Sequence, residues 1–205
     1  MAREAGLLAG VSGEKIGQWA RYGYIRSSWS PTIPRVYSFQ DVAEAIAVHE
    51  LLDRGVKHAD IRFAIEELRG KYGDWPLQSA PLATPKGPAP ARIALRDEGS
   101  AYDVGRRLGQ TFLSFVELLD INQLLRRGGW ALRDLPDVTR IEVDPDRLSG
   151  RPTIRNRRMP AEKVARIAQM PRGLQILSSE YDVTKREAHD AIRWYKRALE
   201  LATAA

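Results

Sequence analysis

The chain has 205 residues, 43% of them hydrophobic and 28% charged, with no cysteine and a formal net charge of +6. That length buries a real core in one to two domains, and the missing cysteines exclude a disulfide scaffold, thiolate zinc sites and a cysteine nucleophile, in keeping with a reducing cytoplasm. No apolar run reaches the roughly 20 residues of a membrane span, and Met1-Ala2-Arg3-Glu4 is not expected to begin a signal peptide.

In chain order, residues 4–9 read as a short helix, Gly10 permits a sharp turn, and Ser12 stands where an N-cap hydroxyl satisfies a free amide of the next helix. From Glu14 to Tyr22, at about 100° per residue, Arg21, Glu14, Gln18, Tyr22 and Lys15 share one arc, and Trp19, Ile16 and Ala20 the opposite one. Next, Arg21-Tyr22-Gly23-Tyr24-Ile25-Arg26 and Arg35-Val36-Tyr37 bracket a loop with Trp29, Pro31 and Pro34, which predicts two short strands and a stiff tip, a basic wing. Trp29 reads as a cover for the core rather than a tip contact. Ser38-Phe39-Gln40-Asp41 opens another helix, with Asp41 favourable near its positive end. His49 falls on that helix's packed stripe with Val42 and Ile46. After Gly55, the spacing of Ile61, Ala64, Ile65 and Leu68 predicts one more packed helix.

This layout is that of a winged helix-turn-helix, whose second helix lies in the DNA major groove. Lys15, Gln18, Arg21 and Tyr22 then face the groove, Arg26 and Arg35 grip phosphates from the wing, and Tyr37 hydrogen-bonds a phosphate. Within residues 12–37 the cations Lys15, Arg21, Arg26 and Arg35 stand against Glu14 alone. The competing reading is an amphipathic helix whose polar arc only faces water.

Residues 74–90 contain Pro76, Pro81, Pro85, Pro88 and Pro90, which predicts a linker or extended edge and no helix. Arg92–Arg96 and Ala101–Val104 alternate around the turn Asp97-Glu98-Gly99-Ser100, a predicted β-hairpin. Phe112, Phe115, Val116 and Leu119 recur at helical spacing, which predicts a helix over about 111–127 ending at Gly128-Gly129. Residues 139–172 hold nine basic and four acidic side chains, so most of the charge excess lies there, around Arg151, Arg155, Arg157 and Arg158. Arg140–Val143 reads as a strand, Gly150-Arg151-Pro152 as a turn, and Pro160 as the opening of a helix through Val164, Ile167 and Ala168. A short helix follows over Leu174–Tyr181. Thr184 and Glu187 form a capping box for a last helix whose stripe is Ala188, Ala191, Ile192, Tyr195, Ala198 and Leu199.

Val11-Ser12, Ile16, Trp19, Gly23, Arg35-Val36-Tyr37-Ser38 with Asp41, and Leu52-x-x-Gly55 before Ile61 resemble the DNA-binding domain of the MerR family over residues 4–70. The resemblance implies double-stranded DNA as partner. Members usually carry Thr and Arg beside the isoleucine of the reading helix, where this chain has Lys15 and Gly17, so no site preference is carried over. Residues 141–200 resemble an antitoxin-like domain found beside VapB-type antitoxins. That likeness rests on Ile141-Glu142-Val143-Asp144-Pro145, Gly150-Arg151-Pro152-Thr153-Ile154, Arg158-Met159-Pro160, and Tyr181-x-Val183-Thr184 through Ala191-Ile192-x-Trp194-Tyr195. Asn156 stands where that family has Gly, and Asn also tolerates the left-handed turn. The resemblance implies a trihelical unit that dimerises or binds a toxin. Arg151, Arg155, Arg157 and Arg158 then contact the acidic centre of a PIN-type ribonuclease toxin or a second phosphate; the alternative is an exposed basic loop.

His49, His58 and His189 lack metal-ligand spacing, and no phosphate-binding glycine loop or nucleophile elbow occurs. Neither an enzyme nor a cofactor nor a metal is expected. The expected fold is mainly α with small β elements. It comprises a winged helix-turn-helix over residues 1–73, a β-hairpin plus helix over 74–138, and a trihelical unit over 139–205. The expected function is a cytoplasmic, homodimeric DNA-binding antitoxin that represses its own promoter together with a toxin ribonuclease, pairing through Trp194 and Leu199 of the last helix. The alternatives are a ligand-responsive regulator without a toxin, and an interaction module that no longer touches DNA.

Overall fold

The computed structural model describes residues 1–86, 91–104 and 110–204. The chain is mainly helical with small β elements, and its residue contacts form two compact units. One comprises Met1–Ala2 and Ile16–Asn122, the other Arg3–Lys15 and Gln123–Ala205. The boundary near the N-terminus falls inside helix α2 (Gly13–Arg21), so α1 (Ala2–Ala9) is counted almost wholly with the C-terminal residues. Among the described residues no helix is long and apolar enough to cross a membrane.

The first unit is organised around α3 (Phe39–Asp53). Every residue from Asp41 to Val48 is buried, and the alternation of alanines with Val42, Ile46 and Val48 leaves the helix apolar on nearly all sides, the pattern of a core helix. Against it pack α4 (His58–Tyr72) and the single turn α5 (Pro76–Ser79). Glu44 lies in the middle of that run. Its carboxyl group accepts the backbone amides of Leu77 (3.1 Å) and Gln78 (3.0 Å) at the start of α5. Burial pushes its pKa up to about 8, with those two amides and Arg69 opposing. At the far end of α3, Arg54 donates to Glu50 (2.6 Å), to the Thr84 hydroxyl (2.9 Å) and to the Glu117 carbonyl (2.9 Å), joining the helix to a sheet.

That sheet is antiparallel. Its strands are β1 (Leu82–Pro85), β2 (Ala94–Asp97), β3 (Ser100–Asp103), β4 (Thr111–Phe112) and β5 (Phe115–Glu117), in the order β4-β3-β2-β1-β5. The expected hairpin is β2–β3, turning between Asp97 and Ser100. Two expectations are corrected here. The proline-rich stretch forms a helical turn and then a strand paired on both sides, with Leu77, Leu82 and Ala83 buried. Its prolines sit where proline is harmless: Pro76 opens the turn, Pro81 precedes β1 and Pro85 ends it. Pro88 and Pro90 lie outside the described residues. The helix expected over 111–127 begins only at α6 (Ile121–Arg127); Phe115 and Val116 instead pair with Pro85 and Thr84. Aromatic and β-branched residues fit a strand, and a sheet edge with unmet amides outweighs a short apolar spacing.

In the second unit a 3-10 turn (Trp130–Arg133) follows α6, and β6 (Ile141–Glu142) pairs with β7 (Thr153–Ile154). Then come α7 (Ala161–Ala168), α8 (Gly173–Tyr181) and α9 (Lys185–Ala204), packed on one another. Pro160 is the N-cap of α7 rather than its first residue. Thr184 and Glu187 form the expected capping box, with Thr184 N donating to Glu187 (2.7 Å) and Glu187 N to the Thr184 hydroxyl (3.2 Å). Ala188, Ala191, Trp194, Tyr195 and Ala198 line the core with Leu7, Ile141, Ile154, Val164 and Leu177. Trp194 is buried and donates to the Gly128 carbonyl (2.7 Å), so it is not available for pairing with a second chain. Asp190 accepts the amides of Thr139 (3.2 Å) and Arg140 (3.1 Å). The turn after α1 is seated closely: a side chain at Gly10 (φ 72°) would overlap the Trp130 ring, and one at Gly129 (φ 86°) the backbone of Leu8.

Glu44 makes stability depend on pH. The folded chain keeps a proton that the unfolded chain releases above about pH 4.5, so stability is highest at low pH and is lost as pH rises toward about 8. Calorimetry from pH 5 to 8 is expected to show the melting temperature of the native protein falling, and Glu44→Gln flattening that fall.

Candidate nucleic-acid interface

Helix α2 is capped as its sequence predicts, with Lys15 N donating to the Ser12 hydroxyl (3.1 Å). Ile16 and Trp19 are 0% and 2% exposed, so the apolar arc is anchored. On the opposite arc Glu14, Arg21 and Tyr22 are exposed and Lys15 and Gln18 half-buried. Lys15 is counted with the second unit, and Gln18, Arg21 and Tyr22 with the first. Neither Arg21 nor Lys15 has an ion pair among the described residues.

The chain after α2 differs from the expected pair of strands. Tyr24 N donates to the Trp19 carbonyl (2.9 Å), and Tyr24 and Ile25 turn inward and are buried, so residues 22–25 form a turn. The loop is closed further out, by one antiparallel pair between Ser30 and Val36 (3.3 and 3.2 Å). Residues 31–34 are exposed at its tip, where Ile33 is 89% exposed. Trp29 is 59% exposed and does not cover the core, whereas Tyr24, Ile25 and Tyr37 are buried. Arg35 is half-buried without an ion pair among the described residues, whereas Arg26 is ion-paired with Asp74. Tyr37 is buried, its hydroxyl enclosed, and burial pushes its pKa up with Arg35 opposing. A phosphate outside the protein is out of its reach, because the chain turns inward there to start α3.

One residue that the sequence marks only as a helix opener holds this loop. Asp41 is fully buried, and one carboxylate oxygen accepts Ser38 N (2.8 Å), Ser28 N (2.8 Å) and the Ser28 hydroxyl (2.7 Å). Its other oxygen accepts the Trp75 indole (2.9 Å). The helix start, the base of the loop and the chain after α4 converge on it. A capping-box signal was present in Ser38 and Asp41; nothing in the sequence tied either to Ser28 or Trp75.

The second basic region flanks β7: Arg151 precedes the strand, and Arg155, Arg157 and Arg158 lie in the turn between it and α7. Asn156 adopts the left-handed conformation (φ 60°), as its side chain permits, and its amide donates to Glu142 (2.8 Å). The four arginines do not act as one cluster. Arg151 is paired with Glu4 (2.8 Å), and Arg157 with Glu187 (3.2 Å) and Asp182 (3.3 Å). Arg155 and Arg158 are exposed and have no ion pair among the described residues. Among the described residues no group of three or more His, Asp or Glu side chains is placed to hold a metal ion.

Residues 141–195 match a family described as a protein of unknown function, DUF433. No curated protein matches the chain. A solved structure from Mycobacterium tuberculosis, Rv2018, is similar over 94% of this chain and 96% of that chain, with a TM-score of 0.54 and 17% sequence identity. At that identity the likeness is one of fold.

Gly17 lies on α2 with ordinary helical backbone, and a Cβ built there meets nothing within 4 Å. Gly17→Ala is therefore expected to stabilise the protein by about 0.5–1 kcal/mol, the helix-propensity difference. Thermal unfolding of the two proteins measures it as a higher melting temperature.

Proposed function

We propose that this protein is a DNA-binding regulator of the winged helix-turn-helix type. The order helix, tight turn, helix α2 and closed loop supplies the parts, and α2 enters the major groove. The observation that carries the reading is the division of α2: Ile16 and Trp19 are anchored while Arg21 and Tyr22 face outward, beside a loop that presents Arg35 and an exposed tip. Gln18 is the base-reading residue, Lys15 and Arg21 add charge along the same helix, and Arg26 and Arg35 act as phosphate contacts. Tyr37 takes no part.

The test is fluorescence anisotropy on duplexes selected from a random pool, at several salt concentrations. Arg35→Ala is expected to weaken binding to all duplexes about equally and to lower the salt slope by about 1. Gln18→Ala is expected to lower the preference for the selected duplex over a random one, by about 1–3 kcal/mol for a good base contact. Equal losses on every duplex from both variants would argue against the groove assignment.

The second unit is the partner-binding half of the same regulator, and the partner is an acidic toxin ribonuclease of the PIN type. What supports this is the exposed Arg155 and Arg158, which flank the turn in which Asn156 N donates to Glu142. Arginine matches carboxylates in a bidentate fork, so two guanidiniums with no ion pair among the described residues suit a cluster of metal-binding acids. Arg155→Glu with Arg158→Glu is expected to abolish co-purification of the toxin when the two proteins are expressed together. Retention of the complex would reassign the turn to solvent.

A further inference from the structure

A cavity of about 600 Å³ opens in the second unit between α1, the Arg151–Pro152 turn and α7. Leu7, Ile167 and Met170 supply apolar wall. Arg3, Arg151, Lys163 and Arg166 line it with charge, against Glu4 and Glu162, which leaves an excess of two positive charges. The arginines are held in place. Arg166 Nη2 donates to Glu162 (2.7 Å) and to the Tyr195 hydroxyl (3.2 Å), and Arg3 Nη2 reaches the same two groups at 3.3 and 3.4 Å. Tyr195 in turn donates to Glu162 (3.1 Å), and Arg151 Nη2 donates to Glu4 (2.8 Å). Each guanidinium thus spends one nitrogen on the protein. Its remaining N–H donors have no partner among the described residues. Lys163 lies over the Tyr181 ring (5.0 Å) and pairs with no carboxylate among the described residues.

We propose that this cavity binds a small organic anion with an apolar body, such as a fatty or aromatic carboxylate. The anionic head lies on Arg3, Arg151 and Arg166, and the body lies along Leu7, Ile167 and Met170. The volume falls within the roughly 300–1,000 Å³ of small-molecule sites, and the lining combines an apolar wall with a few placed polar groups, as such sites do. Inorganic phosphate would use the cations and leave the apolar wall wet. A neutral apolar molecule would use the wall and leave the cations unanswered. The Glu162 and Tyr195 bonds fix the guanidiniums before the ligand arrives, which reduces the ordering cost of binding. Burial alone would raise the Glu162 pKa, but the Tyr195 hydroxyl, Arg3 and Arg166 outweigh it and hold the carboxyl below its ordinary range. The brace is therefore ionised at neutral pH. None of this depends on whether α2 reads DNA.

The experiment titrates the full chain with 1-anilinonaphthalene-8-sulfonate, an aromatic anion whose fluorescence rises in apolar sites, and then adds competitors. One saturable site per chain is expected, displaced by decanoate but not by inorganic phosphate or decyltrimethylammonium at the same concentration. Arg166→Met and, separately, Met170→Glu are expected to weaken probe binding tenfold or more. Arg155→Met, outside the cavity, is expected to change it less than twofold. Both Arg166 and Met170 are exposed, and far-UV circular dichroism verifies that each variant is folded. The proposal is overturned by absence of saturable binding or by equal displacement with the cationic amphiphile. It is equally overturned by the same loss in Arg155→Met, or by displacement with an acidic peptide but not with decanoate.

Discussion

A single buried carboxylate holds the first unit's candidate surface in shape. An ion without partners in a protein interior costs many kcal/mol, and Asp41 is 0% exposed. It is tolerated because four donors converge on it, from Ser28, Ser38 and Trp75. Ser28 begins the exposed loop, Ser38 starts α3 and Trp75 precedes α5, so three segments have one arrangement in which the acceptor is satisfied. The loop that presents Arg35 is thereby set relative to the core helix, not left to its one β-pair. Glu44, one turn along the same helix, does the same for α5 through two backbone amides. The first unit is tied together by acids inside its central helix, with alanines around them to let the neighbours approach.

The second unit uses the same device with other residues. Asp190 and Trp194 on α9 capture the backbone of Thr139, Arg140 and Gly128, so the long helix grips the irregular chain that leads to β6. Gly10 and Gly129 remove side chains where two backbones and an indole meet. Leu7 enters the same core. A few polar anchors and two missing Cβ atoms thus join residues from opposite ends of the chain.

Charge is distributed with similar economy. Arg151 and Arg157 are engaged internally, and Arg26 is paired with Asp74. Arg21, Arg35, Arg155 and Arg158 are left with no ion pair among the described residues. Arg157–Glu187 is the more enclosed pair; Arg26–Asp74 and Arg151–Glu4 are open to solvent and contribute only ~0–1 kcal/mol each. A polyanion or carboxylate can therefore recruit them at little cost. The net charge of +6 understates how unevenly the available cations lie.

Much of the helical skeleton was legible in the residues. The Ser12 cap, the split faces of α2, the capping box at Thr184 and Glu187 and the β2–β3 hairpin follow from local chemistry, because each is decided by residues within a few positions, whereas the left-handed Asn156 was read from the family resemblance, in which Gly stands there. The outward Arg21 and Tyr22 were legible for the same reason. What tertiary structure alone decided is long-range. Strand pairing turned Phe115 and Val116 away from a helix, and the inward turn before α3 hid Tyr37. The pairing of Arg151 with Glu4 joins residues 147 positions apart. The brace of Arg3, Glu162, Arg166 and Tyr195 likewise assembles from both ends of the sequence. Periodicity and capping report only on near neighbours; which distant acid meets which arginine depends on how the helices pack, and no local pattern encodes that.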